Sequence, residues 1–86
     1  MITVIKASAE WWQSCRVYEP IFDQVKEELN DVEFRKFDVD STPDWTIKYK
    51  INSLPTTIIL KDGVEINRFS VFKNKKQLID TINSFK

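Results

Sequence analysis

Two runs of β-branched residues bracket a stretch of helical periodicity, and this succession of periods restricts the fold more than any other feature. Ile2-Thr3-Val4-Ile5 is a short apolar run suited to a strand covered on both faces. From Ser14 to about Asn30 the apolar residues Val17, Tyr18, Ile21, Phe22, Val25 and Leu29 recur at spacings of three and four, which predicts an amphipathic helix. From Val32 to Val39 the period drops to two, which predicts a second strand, with ends wetter than its middle. A strand, a helix and a strand in one sheet demand a right-handed crossover, so the two strands run parallel. Pro20 falls inside the helical stretch, where it removes a donor and crowds the carbonyl four residues back, so a kink between Arg16 and Pro20 is expected.

The second half adds a different signal. Thr42-Pro43 starts a short helix through Tyr49, with Thr42 as the cap, proline at the first helical position and Asp44 matched to the dipole. Thr56–Leu60 and Val64–Phe69 flank Lys61-Asp62-Gly63, and Asp-Gly between two β-rich runs predicts a hairpin. From Asn74 onward, Leu78, Ile79, Ile82 and Phe85 fall on one helical face. Lys73, Lys75 and Lys76 crowd the start of that helix, an unfavourable place for cations, and read as a solvated cluster. The order is β-α-β-α-β-β-α: an α/β chain with a four-stranded mixed sheet, strand one central and helices on both faces. In such sheets a site lies where the first strand runs into the first helix, here the loop from Ala7 to Ser14.

Composition removes several chemistries. A chain of 86 residues accommodates one domain, taken as residues 1–86. Thirteen basic and thirteen acidic residues leave no net charge to attract nucleic acid or an anionic membrane surface. The acidic first half and basic second half are expected to interleave in the fold. The longest aliphatic run, Ile58-Ile59-Leu60, is far short of a membrane span, and no leader is visible in Met1–Lys6, so a cytoplasmic address is expected. There is no histidine for a nucleophile pair or metal ligation, and the single cysteine, Cys15, permits neither an internal disulfide nor a thiolate metal site. No metal or other cofactor is expected.

The loop reads Ala9-Glu10-Trp11-Trp12-Gln13-Ser14-Cys15-Arg16, and a proline follows Cys15 by five residues. With Trp11, Cys15, Arg16 and Pro20 in these places, the chain resembles the thioredoxin family, whose loop carries Trp-Cys-x-x-Cys followed by lysine or arginine. The resemblance continues through Val39-Asp40, Lys48-Tyr49-Lys50-Ile51, Leu54-Pro55-Thr56 and Lys61-Asp62-Gly63. It implies the thioredoxin fold in a minimal, glutaredoxin-sized form without the extra amino-terminal strand and helix of longer members. It also implies membership of the protein disulfide oxidoreductases, acting on protein thiols and disulfides as a monomer, with a thioredoxin reductase as electron donor. Carried over residue by residue, Trp12 occupies the nucleophile's position and Cys15 that of the resolving cysteine. Trp11, Gln13, Ser14, Leu54 and Pro55 fall at the substrate-binding positions, with the Leu54–Pro55 bond expected to be cis. Lys6 stands where longer members often place a buried carboxylate.

The departures limit that chemistry. Reversible two-electron storage within one chain needs two sulfurs, and this chain supplies one. Cys15, near the start of a helix beside apolar neighbours, reads as a small buried hydrophobe rather than a reactive monothiol. The Trp11-Trp12 pair is either an exposed anchor for a partner or, for Trp11, a residue packed on its own loop. Trp45 reads as a partly buried cover for the motif loop. Pro55 begins a strand, where no ladder donor is required. The reading is therefore a thioredoxin-like protein lacking its nucleophile, either inactive or a variant of an active enzyme. The alternative is a binding module that uses the motif loop and the Pro55 surface to hold peptide.

Overall fold

A computed structural model describes residues 1–9, 11–70 and 73–86. The elements are β1 (Ile2–Ser8), α1 (Gln13–Glu28), β2 (Val32–Asp38), α2 (Pro43–Lys48), β3 (Thr56–Lys61), β4 (Val64–Phe69) and α3 (Lys75–Asn83). The sheet order is β2-β1-β3-β4. β1 pairs parallel with β2, Ile2 against Val32 through Ser8 against Asp38. It pairs antiparallel with β3, Ile5 against Ile58 and Ala7 against Thr56. Strand one is thus central, as its apolar run requires.

β1 extends past Ile5 to Ser8 because Lys6, a polar interruption in the sequence, is itself fully buried. That extension shortens the connecting loop from the expected Ala7–Ser14 to the residues between Ser8 and Gln13. Helix α1 runs through Pro20 without a break.

Pleating divides the core in two. Ile2 and Val4 of β1 join Ile59 of β3 beneath Tyr18, Phe22 and Val25 of α1 and Leu78 and Ile82 of α3. On the other face Ile5, Ala7, Ile58 and Phe37 are covered by Trp45, Tyr49, Ile51 and Leu54. Trp45 is half-buried, as expected, but its ring packs on Phe37 at 5.4 Å between centroids and on Tyr49 at 6.1 Å, so it covers β2 and the second core face.

Three further expectations meet corrections. The middle of β2 is the wet part: Arg35 and Lys36 are exposed while Val32 and Phe37, near the ends, are buried, because β2 is an edge strand whose flanks tuck under α1 and α2. Thr42 precedes α2 but makes no side-chain cap, since its hydroxyl donates to the Asp38 carbonyl at 2.6 Å. The lysines at the start of α3 are only partly solvated: Lys75 pairs with Glu28 at 3.0 Å and Lys73 lies over the Phe69 ring. Asn74 and Gln77 form a capping box that secures the helix start despite those cations. Leu54–Pro55 is a cis peptide.

Three backbone positions show local chemistry at work. Asp62 and Gly63 both take positive φ, 52° and 85°, which the two-residue turn of a right-twisted hairpin requires. Lys50, at φ 54°, ends α2 in the left-handed region, with its N–H on Ile47 O and the Ile51 N–H on Thr46 O. Ion pairs Lys75–Glu28 and Lys86–Asp31 join the basic second half to the acidic first, so the two halves interleave.

Candidate functional site at the end of the first strand

The motif begins where β1 ends. Glu10 lies outside the described residues. Trp12 is the N-cap residue of α1, and its carbonyl accepts from Cys15 N–H at 3.1 Å and Arg16 N–H at 3.3 Å. Its side chain makes no cap hydrogen bond and the first turn carries no acid, so Trp12 answers the orphan donors of the helix start only through its carbonyl. Both indoles face solvent, Trp11 60% exposed and Trp12 41%. They meet edge to face at 5.2 Å, and Trp11 Nε1 donates to Asp40 Oδ2 at 2.5 Å. Of the two readings of Trp11, exposure is the one observed. Gln13 and Ser14 are also exposed.

Cys15 is 3% exposed, since the amphipathic face of α1 turns it toward the sheet with Tyr18 and Phe22. Register brings the proline segment to the same end of the sheet: Thr56, the first residue of β3, is opposite Ala7. Pro55 is buried and Leu54 half-buried against the second core cluster, so this segment presents backbone more than side chain. The expected site residues therefore cluster at the carboxyl end of β1, with Trp11, Trp12, Gln13 and Ser14 outside and Cys15 and Pro55 inside.

A charged underside escaped the sequence reading. A cleft of about 530 Å³ lies on the α1–β2 side of Cys15, lined by Ser8, Ala9, Cys15, Arg16, Glu19, Lys36, Phe37 and Asp38. Beneath it the Lys6 ammonium pairs with Glu19 Oε2 and lies 5.1 Å from the centre of the Phe22 ring. Lys36 Nζ donates to Glu19 Oε1 at 2.5 Å and to Asp23 Oδ1 at 2.9 Å. Burying an ion costs several kcal/mol, and a carboxylate with an aromatic face offsets that for Lys6. Partial burial pushes the Glu19 carboxyl up, but hydrogen bonds from Lys36 and Lys6 outweigh it and hold the group below its ordinary value. Hydrogen bonds from Glu19 and then Asp23 push the Lys36 ammonium up. The available signal was Glu19 four residues after Cys15, which puts both on one helix face.

Single-sulfur chemistry is what this arrangement holds: one shielded thiol, two exposed indoles and an ion network below. The fold is that of an α/β thiol–disulfide oxidoreductase. The thioredoxin family profile matches residues 1–84, and the chain belongs to the thioredoxin family. Thioredoxin of Chlamydia trachomatis is 35% identical over 82 residues, covering 95% of this chain and 80% of that protein. Thioredoxin H2 of Arabidopsis thaliana is 37% identical over 67 residues, covering 78% of this chain and 50% of that protein. Among solved structures, Fasciola hepatica thioredoxin superposes with a TM-score of 0.90 at 35% identity, covering 99% of this chain and 81% of that one. By this homology the chain falls in the thiol–disulfide oxidoreductase class. Among the described residues no helix is long and apolar enough to cross a membrane.

Proposed function

We propose that this chain keeps the polypeptide-docking end of a thioredoxin without a dithiol cycle of its own. The observation that carries the reading is the indole of Trp12, exposed at the start of α1 three residues before the only cysteine. A helix start favours a thiolate, and the residue there has no sulfur. Cys15, in the resolving position, has no mixed disulfide in its own chain to attack. The surface that remains, Trp11, Trp12, Gln13 and Ser14 beside the Leu54–Pro55 backbone, suits an extended segment of a protein thiol or disulfide substrate. Within this reading the domain is residues 1–86, the address is cytoplasmic, and a thioredoxin reductase has no disulfide here to reduce.

The test separates chemistry from docking. With dithiothreitol as electron source, the protein is expected to reduce insulin disulfides no faster than a Cys15→Ala variant. Trp12→Cys is expected to form an intramolecular disulfide with Cys15 under mild oxidant and to gain turnover, since residues three apart at a helix start lie close on one face. Tryptophan fluorescence titrated with an unfolded, S-alkylated polypeptide is expected to saturate, and to lose that response in Trp11→Ala/Trp12→Ala. Turnover by the unaltered chain above the Cys15→Ala control overturns the reading, as does the absence of any polypeptide response.

A further inference from the structure

The sheet has two edges, and they differ. On β4 the pairing with β3 slips between Ile59 and Leu60, so an extra residue interrupts the ladder, a common way of blunting an edge. On β2 the register against β1 is regular from Val32 to Asp38. Val39 N–H donates to Ser8 O on β1 at 2.9 Å, which fixes the alternation. The backbones of Glu33, Arg35 and Phe37 then face β1, and those of Val32, Phe34, Lys36 and Asp38 face outward. At one end Val32 N–H is taken by Leu29 O, and at the other Asp38 O accepts from Thr42. Between them, the outward N–H and C=O groups of Phe34 and Lys36 have no partner among the described residues.

We propose that this edge pairs antiparallel with β2 of a second copy, about a two-fold axis through Phe34. Charge decides both the partner and the register. Two-fold pairing sets the central residue against itself, so an axis at Glu33, Arg35 or Lys36 brings like charges together, which is destabilising. Of the four central positions 33–36, only Phe34 avoids this, and an axis at Phe37 would need the Asp38 carbonyl, which Thr42 already occupies. It places Glu33 opposite Arg35 of the second copy, twice, at non-hydrogen-bonded positions where side chains approach most closely. The free amide of Phe34 then meets the Phe34 carbonyl of the other copy, and the free amide of Lys36 meets the carbonyl of the other Val32. Side chains are already disposed for this. Glu33 and Arg35 share a face and pair within one chain at 2.7 Å, both substantially exposed, so each can exchange its partner across the axis at little cost. Phe34 lies half-buried on Phe22 with centroids 5.4 Å apart, which leaves its remaining ring face to the other Phe34. The result is a continuous eight-stranded sheet, with the motif loops left open. It departs from the monomer expected of the family.

Sedimentation across a concentration series tests the proposal on the full chain. A monomer–dimer equilibrium is expected, together with concentration-dependent protection of the Phe34 and Lys36 amides from hydrogen exchange. Arg35→Glu and Glu33→Arg each turn two attractive cross-axis pairs into repulsive ones and are expected to weaken the dimer about tenfold or more. The double variant, Glu33→Arg with Arg35→Glu, restores opposite charges and is expected to return the dimer to within about threefold of the original. Circular dichroism and Tm of the single variants check that the monomer remains folded. A chain that stays monomeric at millimolar concentration, or a dimer indifferent to both single charge reversals, overturns the proposal.

Discussion

The two faces of β1 are built on different terms. On one, a sixteen-residue helix and a nine-residue helix bury five side chains against Ile2 and Val4, and the layer is deep enough to enclose a lysine. On the other, α2 has six residues and none of them is buried; Trp45 and Tyr49 cover Phe37 and Ile58 with ring faces that remain partly wet. The deep face turns polar toward the motif end, where Lys6, Glu19 and Lys36 meet beside Cys15. The shallow face is apolar only at its centre, around Ile5, Ala7, Ile58 and Phe37, and turns charged at the β2 edge, where the Glu33 and Arg35 side chains lie exposed. Depth, then, is what permits an ion at the base of the site, while the shallow side contributes shape.

Truncation probes the contrast most directly. Phe22→Ala on the deep face is expected to cost about 3–5 kcal/mol, because the ring is fully enclosed and is also the face on which the Lys6 ammonium rests. Trp45→Ala on the shallow face removes a larger side chain yet should cost less, roughly 1–3 kcal/mol, since much of its ring is already hydrated. Urea denaturation of both variants measures the difference; equal losses would mean the faces are equally deep.

Alkali gives an intermediate effect confined to the deep face. The Tyr18 hydroxyl shares a 3.0 Å buried hydrogen bond with Thr57 of β3, and burial pushes its pKa up from 10.0 to about 12 despite that bond. Between those two values the folded chain keeps the proton and the unfolded chain loses it, so stability falls as pH rises through this window. The loss approaches about 2–3 kcal/mol near pH 12. Unfolding free energies at pH 9 to 12, compared with those of Tyr18→Phe, isolate this contribution from the titration of lysines.

The smallest effect has the opposite sign. Lys50 holds a left-handed conformation at the end of α2, where glycine is ordinarily preferred, so Lys50→Gly should stabilise the shallow face by up to about 1 kcal/mol. A lower Tm in that variant would show that the Lys50 side chain contributes more than its backbone strain removes.

These features differ in how visible they are in the residues alone. The alternation of periods and Asp62-Gly63 specify the element order and the hairpin, because each is a local pattern with a local cause. The motif's place at the end of β1 follows from the same order. The extent of β1 is not local: Lys6 reads as the strand's end, and only its distant partner Glu19 allows it inside. The wet middle of β2 reflects its place at an edge, a property of the whole sheet. Lys50 carries no mark of its conformation, since glycine is the residue that would signal it. The ion network beneath Cys15 joins residues from β1, α1 and β2, and no window along the chain contains them together.

The central position of β1 also bears on how the chain is made. Ile5 pairs with Ile58, more than fifty positions later, so this strand leaves the ribosome well before its second neighbour exists. At about 5–20 residues per second the interval is roughly 3–10 s, during which β1 has only β2 to pair with and one side of its backbone stays open. A nascent chain in that interval displays Ile2, Val4 and Ile5 on a strand with an unsatisfied edge, the form most readily taken up by a chaperone or by another nascent chain. Arrest of translation after α2 should therefore yield a species that binds such factors, and release through the Asp62–Gly63 turn should end that binding as β3 closes on β1.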